Sequence, residues 1–162
     1  MVTLRKKIFF LQSGFTLIEL LVVFVVMSML MMGSLVSFSS FGKNQTFKSS
    51  VSDIEQYLNL ARSRALSRVK PPICAGKTLK YYQVYIIAPG STYRLKVMCD
   101  TTLSILESKL LPTGVTFTDA APISINFAVS TGTTDATQTI AMSGNGNTAT
   151  ITVSQTGVIS AQ

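Results

Sequence analysis

The chain has 162 residues, enough for one compact domain plus an appended segment. It carries two cysteines and no histidine, so cysteine alone cannot complete a four-ligand zinc site, and the commonest general base and usual partner of a Ser or Cys nucleophile is missing. The net charge of +7 falls to +4 (11 basic minus 7 acidic) without residues 1–14, so the basic balance is partly a property of that segment and does not by itself point to nucleic acid.

Residues 1–14 read MVTLRKKIFFLQSG, with a basic cluster at Arg5, Lys6 and Lys7. From Phe15 to Val36 there are 22 residues, and Glu19 is their sole charge. As a helix they would extend roughly 33 Å, enough for a hydrocarbon core of about 30 Å. The basic cluster ahead of the span predicts a cytoplasmic N-terminus, with everything after about residue 40 on the other side. Three plain readings compete. A secretory signal has a shorter apolar region and is cut after it, whereas here the small residue Gly14 lies before it. A single-pass anchor leaves Glu19 unexplained, since a carboxylate in hydrocarbon costs about 2.5–3.5 kcal/mol at a helix centre and less near an end. A buried soluble helix is disfavoured by the length and the all-round apolarity.

Gly14-Phe15-Thr16-Leu17-Ile18-Glu19-Leu20-Leu21 resembles the cleavage and methylation motif of type IV prepilins and pseudopilins. The resemblance implies that a prepilin peptidase cuts between Gly14 and Phe15 and methylates the new amine of Phe15. It implies that Glu19 pairs with the N-terminus of a neighbouring subunit during assembly. It further implies other pilin or pseudopilin subunits, an inner-membrane assembly platform and membrane lipid as partners. The protein would be a single-pass inner-membrane subunit, with its globular domain periplasmic or extracellular, of a type IV pilus or type II secretion pseudopilus.

Gly33, Ser34, Ser37, Ser39, Ser40 and Gly42 are weak helix formers, but the helix is expected to run on. Val51, Ile54, Leu58, Ala61, Ala65 and Val69 recur at spacings of three and four and form one apolar stripe. Lys70-Pro71-Pro72 is expected to stop the helix. Beyond it the pattern has period two. Lys80–Ala88 and Thr92–Cys99 flank Pro89-Gly90-Ser91, a hairpin signal. Further strands are predicted at Leu103–Leu111, Val115–Thr118, Ile123–Val129, Thr139–Met142, Thr148–Ser154 and Gly157–Ser160, with Ser143–Asn147 a polar, flexible loop. The organisation expected is a leader over 1–14, a transmembrane or filament-core helix over 15–38, an amphipathic helix over 39–70 and an antiparallel β domain over 71–162. The fold class is α+β.

Asp53 to Arg68, with its Leu-Asn-Leu-Ala-Arg-Ser-Arg-Ala core, is similar to the post-membrane helix of GspH/FimT-type minor pseudopilins. Leu111-Pro112 before Gly114-Val115, Ile125-Asn126-Phe127, and Ile151 to Ile159 with Gly157-Val158 also resemble that family. Arg64 departs from its frequent Glu. The likeness implies a low-abundance subunit that starts or caps the filament, and two small sheets behind the helix.

Arg62, Arg64 and Arg68 lie in a basic stretch, with Arg64 and Arg68 expected on one helix face. The stretch is either a solvated face or a surface that docks DNA or another partner. FimT-like pilins are linked to DNA capture, which gives a DNA-capturing or adhesive tip module as the alternative function. The chain ends at Ser160-Ala161-Gln162 without a basic tail, and Tyr57 is the one aromatic among the arginines, which weighs against nucleic acid. Cys74 and Cys99 flank the first hairpin and, outside the cytoplasm, could form one disulfide; the other reading is two buried free thiols. Tyr81, Tyr82, Tyr85 and Tyr93 fall in that hairpin as cross-strand packing. No residue spacing points to a metal, a cofactor or an enzyme.

Overall fold

The computed structural model describes residues 16–162, and for 31–40 the backbone alone. Helix α1 spans Leu17–Leu66. The chain divides into two compact units, Met1–Ser40 and Phe41–Gln162. In the first, the described side chains from Leu17 to Leu30 are all exposed. Among the described residues no helix is long and apolar enough to cross a membrane.

The second unit holds the rest of α1, a short 3-10 turn at Pro72–Cys74 and eight strands: β1 (Leu79–Ile87), β2 (Thr92–Cys99), β3 (Thr102–Leu110), β4 (Val115–Phe117), β5 (Ile123–Ala128), β6 (Gln138–Gly144), β7 (Asn147–Val153) and β8 (Ile159–Ala161). They form two four-stranded antiparallel sheets, ordered β3-β2-β1-β5 and β4-β6-β7-β8. The fold is α+β and pilin-like, as expected. The turn after β1 joins the sheets: Gly90 and Phe117 exchange backbone hydrogen bonds of 3.3 and 2.7 Å.

Alternation in the strands determines what is buried. Tyr82, Val84 and Ile86 of β1, Leu95 and Val97 of β2, and Ile125 and Phe127 of β5 point to one side of the first sheet. Val115, Phe117, Ile140, Met142, Ile151 and Val153 supply the second sheet. Ile54, Leu58, Ala61 and Ala65 of α1 complete the core at the three- and four-residue spacing of the predicted stripe, joined by Phe47 and Tyr57, with Val51 half-buried beside them. Truncating Leu58, fully buried, to Ala should cost about 2–5 kcal/mol.

Two expectations change. The helix ends at Leu66, four residues before Lys70. Arg68 takes a left-handed conformation at φ 50°; its N–H bonds to the Ala65 carbonyl (3.2 Å) and the Val69 N–H to the Arg64 carbonyl (3.1 Å). These two bonds form a Schellman C-cap, which satisfies the last carbonyls before the prolines are reached. Val69 is therefore off the helix and half-exposed rather than the last residue of the stripe. Ser143–Asn147, expected as a loose polar loop, is instead a tight turn. Asn145 (φ 54°) and Gly146 (φ 81°) both have positive φ, as a two-residue type I′ hairpin requires. Asn145 donates to the Lys43 carbonyl (3.0 Å) and Asn147 to the Asn44 amide oxygen (2.7 Å), so the turn is tied to the helix.

Candidate processing, assembly and docking residues

Gly14 and Phe15, the expected cleavage junction, lie outside the described residues. Glu19 stands in the first turn of α1, where a negative charge is favoured by the helix dipole. The Thr16 carbonyl starts the helix, accepting from the N–H groups of Glu19 (3.1 Å) and Leu20 (3.2 Å). The Glu19 side chain is exposed and makes no ion pair or hydrogen bond among the described residues. Around it, Leu17, Leu20, Leu21, Phe24, Val25 and Ser28 follow one another at helical spacing and outline a shallow apolar depression. Glu19 is the one charged residue of Leu17–Leu30, whose side chains are exposed. It can act chemically as a counter-charge for an amine.

The three arginines do not form one docking face. Arg62 is half-buried at a junction between the helix and the loops of the sheets. Its Nη2 donates to the Thr156 carbonyl at 3.3 Å. Its stem runs past two glycines: a Cβ added to Gly132 would stand 3.2 Å from Arg62 Cγ, and one added to Gly157 would stand 2.9 Å from Nε. Arg62 thus acts as a structural tie. Arg64 is half-buried on the helix, and Arg68 lies beyond the helix end at the left-handed capping position. The expectation that Arg64 and Arg68 share a helical face fails because the helix stops between them. Neither glycine contact was visible beforehand; the signal was Gly132 and Gly157 themselves, each needing positive φ (63° and 79°).

Cys74 and Cys99 are both buried and joined as a disulfide, with Cα atoms 5.6 Å apart, inside the usual range. Cys74 ends the 3-10 turn and Cys99 ends β2. Next to them the Thr78 N–H donates to Asp100 Oδ1 (2.9 Å) and the Asp100 N–H to the Thr78 carbonyl (2.8 Å). The helix exit and the hairpin base are therefore held twice. Of the hairpin tyrosines, Tyr82 and Tyr93 are buried, and Tyr93 packs edge-on against Tyr57 and Phe117. Tyr82 donates its hydroxyl proton to the Val69 carbonyl just past the helix. Tyr85 lies on the opposite sheet face under the Lys96 ammonium, 3.7 Å from the ring centroid. No cluster of three or more metal-ligating side chains occurs among the described residues.

No curated protein and no solved structure matches the chain. Residues 10–35 match the family model described as the prokaryotic N-terminal methylation motif. That match covers the segment holding the Gly14–Phe15 junction and Glu19 and, beside an α+β pilin-like fold, supports a likeness to type IV prepilins and pseudopilins.

Proposed function

We propose that the protein is a minor pilin or pseudopilin of the GspH/FimT type, inserted in the inner membrane, processed by prepilin peptidase and then assembled into a filament. The observation that carries the reading is the methylation-motif match over residues 10–35, with Glu19 as the sole charge of the apolar segment Phe15–Val36. Cutting between Gly14 and Phe15 ahead of that helix keeps it in the mature protein. The cut frees an amine at Phe15, four residues from Glu19, and methylation leaves the amine able to carry its charge. Glu19 then neutralises such an amine in its own or a neighbouring subunit, which fixes axial register as subunits add. Before assembly the apolar helix lies in lipid with the N-terminus cytoplasmic; afterwards it packs in the filament core. Two antiparallel sheets and the Gly157-Val158 turn support the GspH/FimT subtype.

The alternative, a DNA-capturing or adhesive tip module, loses support from Arg62, which is engaged with Thr156, and from the end of the helix at Leu66, which keeps Arg64 and Arg68 off one helical face. Mass spectrometry of the mature N-terminus tests the main reading. We expect loss of residues 1–14 and a methyl group on Phe15; an intact Met1, or a start beyond residue 30, overturns it. Glu19→Ala should leave membrane insertion unchanged and reduce incorporation into sheared filaments. DNA binding by the chain at two salt concentrations tests the alternative, which requires affinity that falls steeply with salt.

A further inference from the structure

Strand β3 is the free edge of the first sheet: β2 pairs with one side of Thr102–Leu110, and among the described residues no backbone hydrogen bond is made to the other. Free edges are ordinarily blunted by proline, charge, bulges or shortness, and here the bulge at Leu106 interrupts the edge but leaves the four residues Glu107–Leu110 continuous. This edge is nine residues long and has no proline. Its two charges neutralise each other, Lys109 Nζ lying 3.2 Å from Glu107 Oε1. A bulge at Leu106 separates Thr102–Ile105 from Glu107–Leu110. Leu110 at its end is 70 % exposed.

Where the cross-strand pair Tyr93 and Lys109 meets α1 there is a cleft of about 500 Å³. It is lined by Asp53, Gln56, Tyr57, Leu60, Tyr93 and Lys109. The Tyr57 and Tyr93 rings meet edge to face 4.9 Å apart at its base. Lys109 already places its ammonium 5.0 Å from the Tyr57 ring centroid, so the rings can face a cation. Asp53 is exposed and has no ion-pair partner among the described residues, while Glu107 is matched by Lys109. Asp53 is therefore the acidic group of the cleft lining without an ion-pair partner among the described residues, with Arg64 acting on Tyr57 from the helix. The unit around it, Phe41–Gln162, has 11 basic and 6 acidic residues, a balance of +5.

We infer that this groove receives an extended, basic segment of another protein subunit, which adds an antiparallel strand to β3 and lays a Lys or Arg side chain over Tyr57 and Tyr93 toward Asp53. The backbone of β3 supplies affinity, because an added strand satisfies the unpaired N–H and C=O groups of the edge. Asp53 supplies selection, because an acidic side chain at that position would meet a like charge. Leu60 and Leu110, exposed at the two rims, cover apolar neighbours in the incoming strand. This surface is separate from the Glu19 segment, and failure of either reading leaves the other standing.

The test uses the full chain in detergent micelles and two synthetic nonapeptides, one alternating Lys and Val, the other alternating Glu and Val. Backbone hydrogen exchange reads the site, and tyrosine fluorescence reads the affinity. The Lys peptide is expected to slow exchange in Thr102–Leu110 and to bind about tenfold more tightly than the Glu peptide. Asp53→Asn, on an exposed position, should bring the two peptides within about threefold of each other without loss of the fold. Equal binding of both peptides, slowed exchange elsewhere than β3, or an unchanged preference in Asp53→Asn overturns the inference. So does protection of β3 that grows with protein concentration alone, which would identify a second copy as the occupant.

Discussion

Arg62 and Gly157 are 95 positions apart in the chain and fit together as side chain and gap: the guanidinium stem crosses the place where a Cβ of residue 157 would be, and Nη2 reaches the carbonyl of the preceding residue, Thr156. The same missing Cβ lets the Gly132 carbonyl approach, and Gly157 holds φ at 79°, where an L side chain is strained. The helix, the loop after β5 and the turn before β8 converge at one point, which a glycine makes possible.

Gly157→Ala should therefore be among the most damaging single-atom additions in the unit. The left-handed backbone contributes about 1–2 kcal/mol and the overlap with the Gly132 carbonyl and Arg62 about 1–3 kcal/mol more. We expect a total loss of about 3 kcal/mol, seen as a lower midpoint in denaturant unfolding. Arg62→Met, which keeps the stem and removes the charge, should restore little, because the carbonyl clash remains. A Gly157→Ala protein as stable as the original would remove the account of this junction.

Arg68 offers the opposite sign. It sits at the C′ position of the Schellman cap with φ 50°, where glycine is preferred. Arg68→Gly relieves about 1–2 kcal/mol of backbone strain and gives back about 0.4–1 kcal/mol through the freer unfolded chain. The net expectation is a gain of about 0.5–1 kcal/mol, read in the same unfolding experiment. Loss of stability instead would show that the Arg68 side chain makes contacts that outweigh the strain.

Much of the fold could be read in advance, for physical reasons that differ by element. Strand β2 has the predicted bounds, Thr92–Cys99, because Pro89-Gly90-Ser91 marks its start and strict alternation buries Tyr93, Leu95, Val97 and Cys99. The stripe from Ile54 to Ala65 was legible because helix periodicity and burial agree there. The helix end was not, because an arginine in the left-handed region leaves no mark in the sequence, whereas Pro71-Pro72 is conspicuous and lies further on. Asn145-Gly146 did carry a hairpin signal, which polarity obscured. The cleft beside β3 was invisible because Asp53 and Lys109 are 56 positions apart and meet through the sheet order alone.

The Cys74–Cys99 pair, 25 residues apart, closes a loop that in the chain-entropy account is worth roughly 3 kcal/mol. Alkylating the unfolded, periplasm-exported chain should label no thiol before reduction and two after. Reduction of the folded protein should lower stability by about that amount, eased where the Thr78–Asp100 bonds still hold the hairpin base. Two labelled thiols without reductant would refute the bridge.

The last prediction concerns alkaline pH. Burial raises the pKa of Tyr57, Tyr82 and Tyr93 above the usual tyrosine value near 10, and nearby carboxylates push further, Glu107 for Tyr57 and Asp53 with Glu107 for Tyr93. These groups keep their protons in the folded protein at a pH where the unfolded chain has lost them. The unfolded state then binds fewer protons than the native state, so stability falls as pH rises. Below about pH 10 the stabilisation is fully present; above it, each such tyrosine contributes a loss approaching roughly 1.4 kcal/mol per pH unit. Tyr82→Phe separates this effect from general charge repulsion. It removes the hydrogen bond to Val69 and should cost about 1 kcal/mol at neutral pH. It also removes one titrating group, so the decline above pH 10 should become shallower by about one tyrosine's share. Denaturant unfolding at neutral pH and at two values above pH 10, on both proteins, measures the two slopes. Parallel slopes would mean that Tyr82 titrates alike in the folded and unfolded chains, and would remove it from the set.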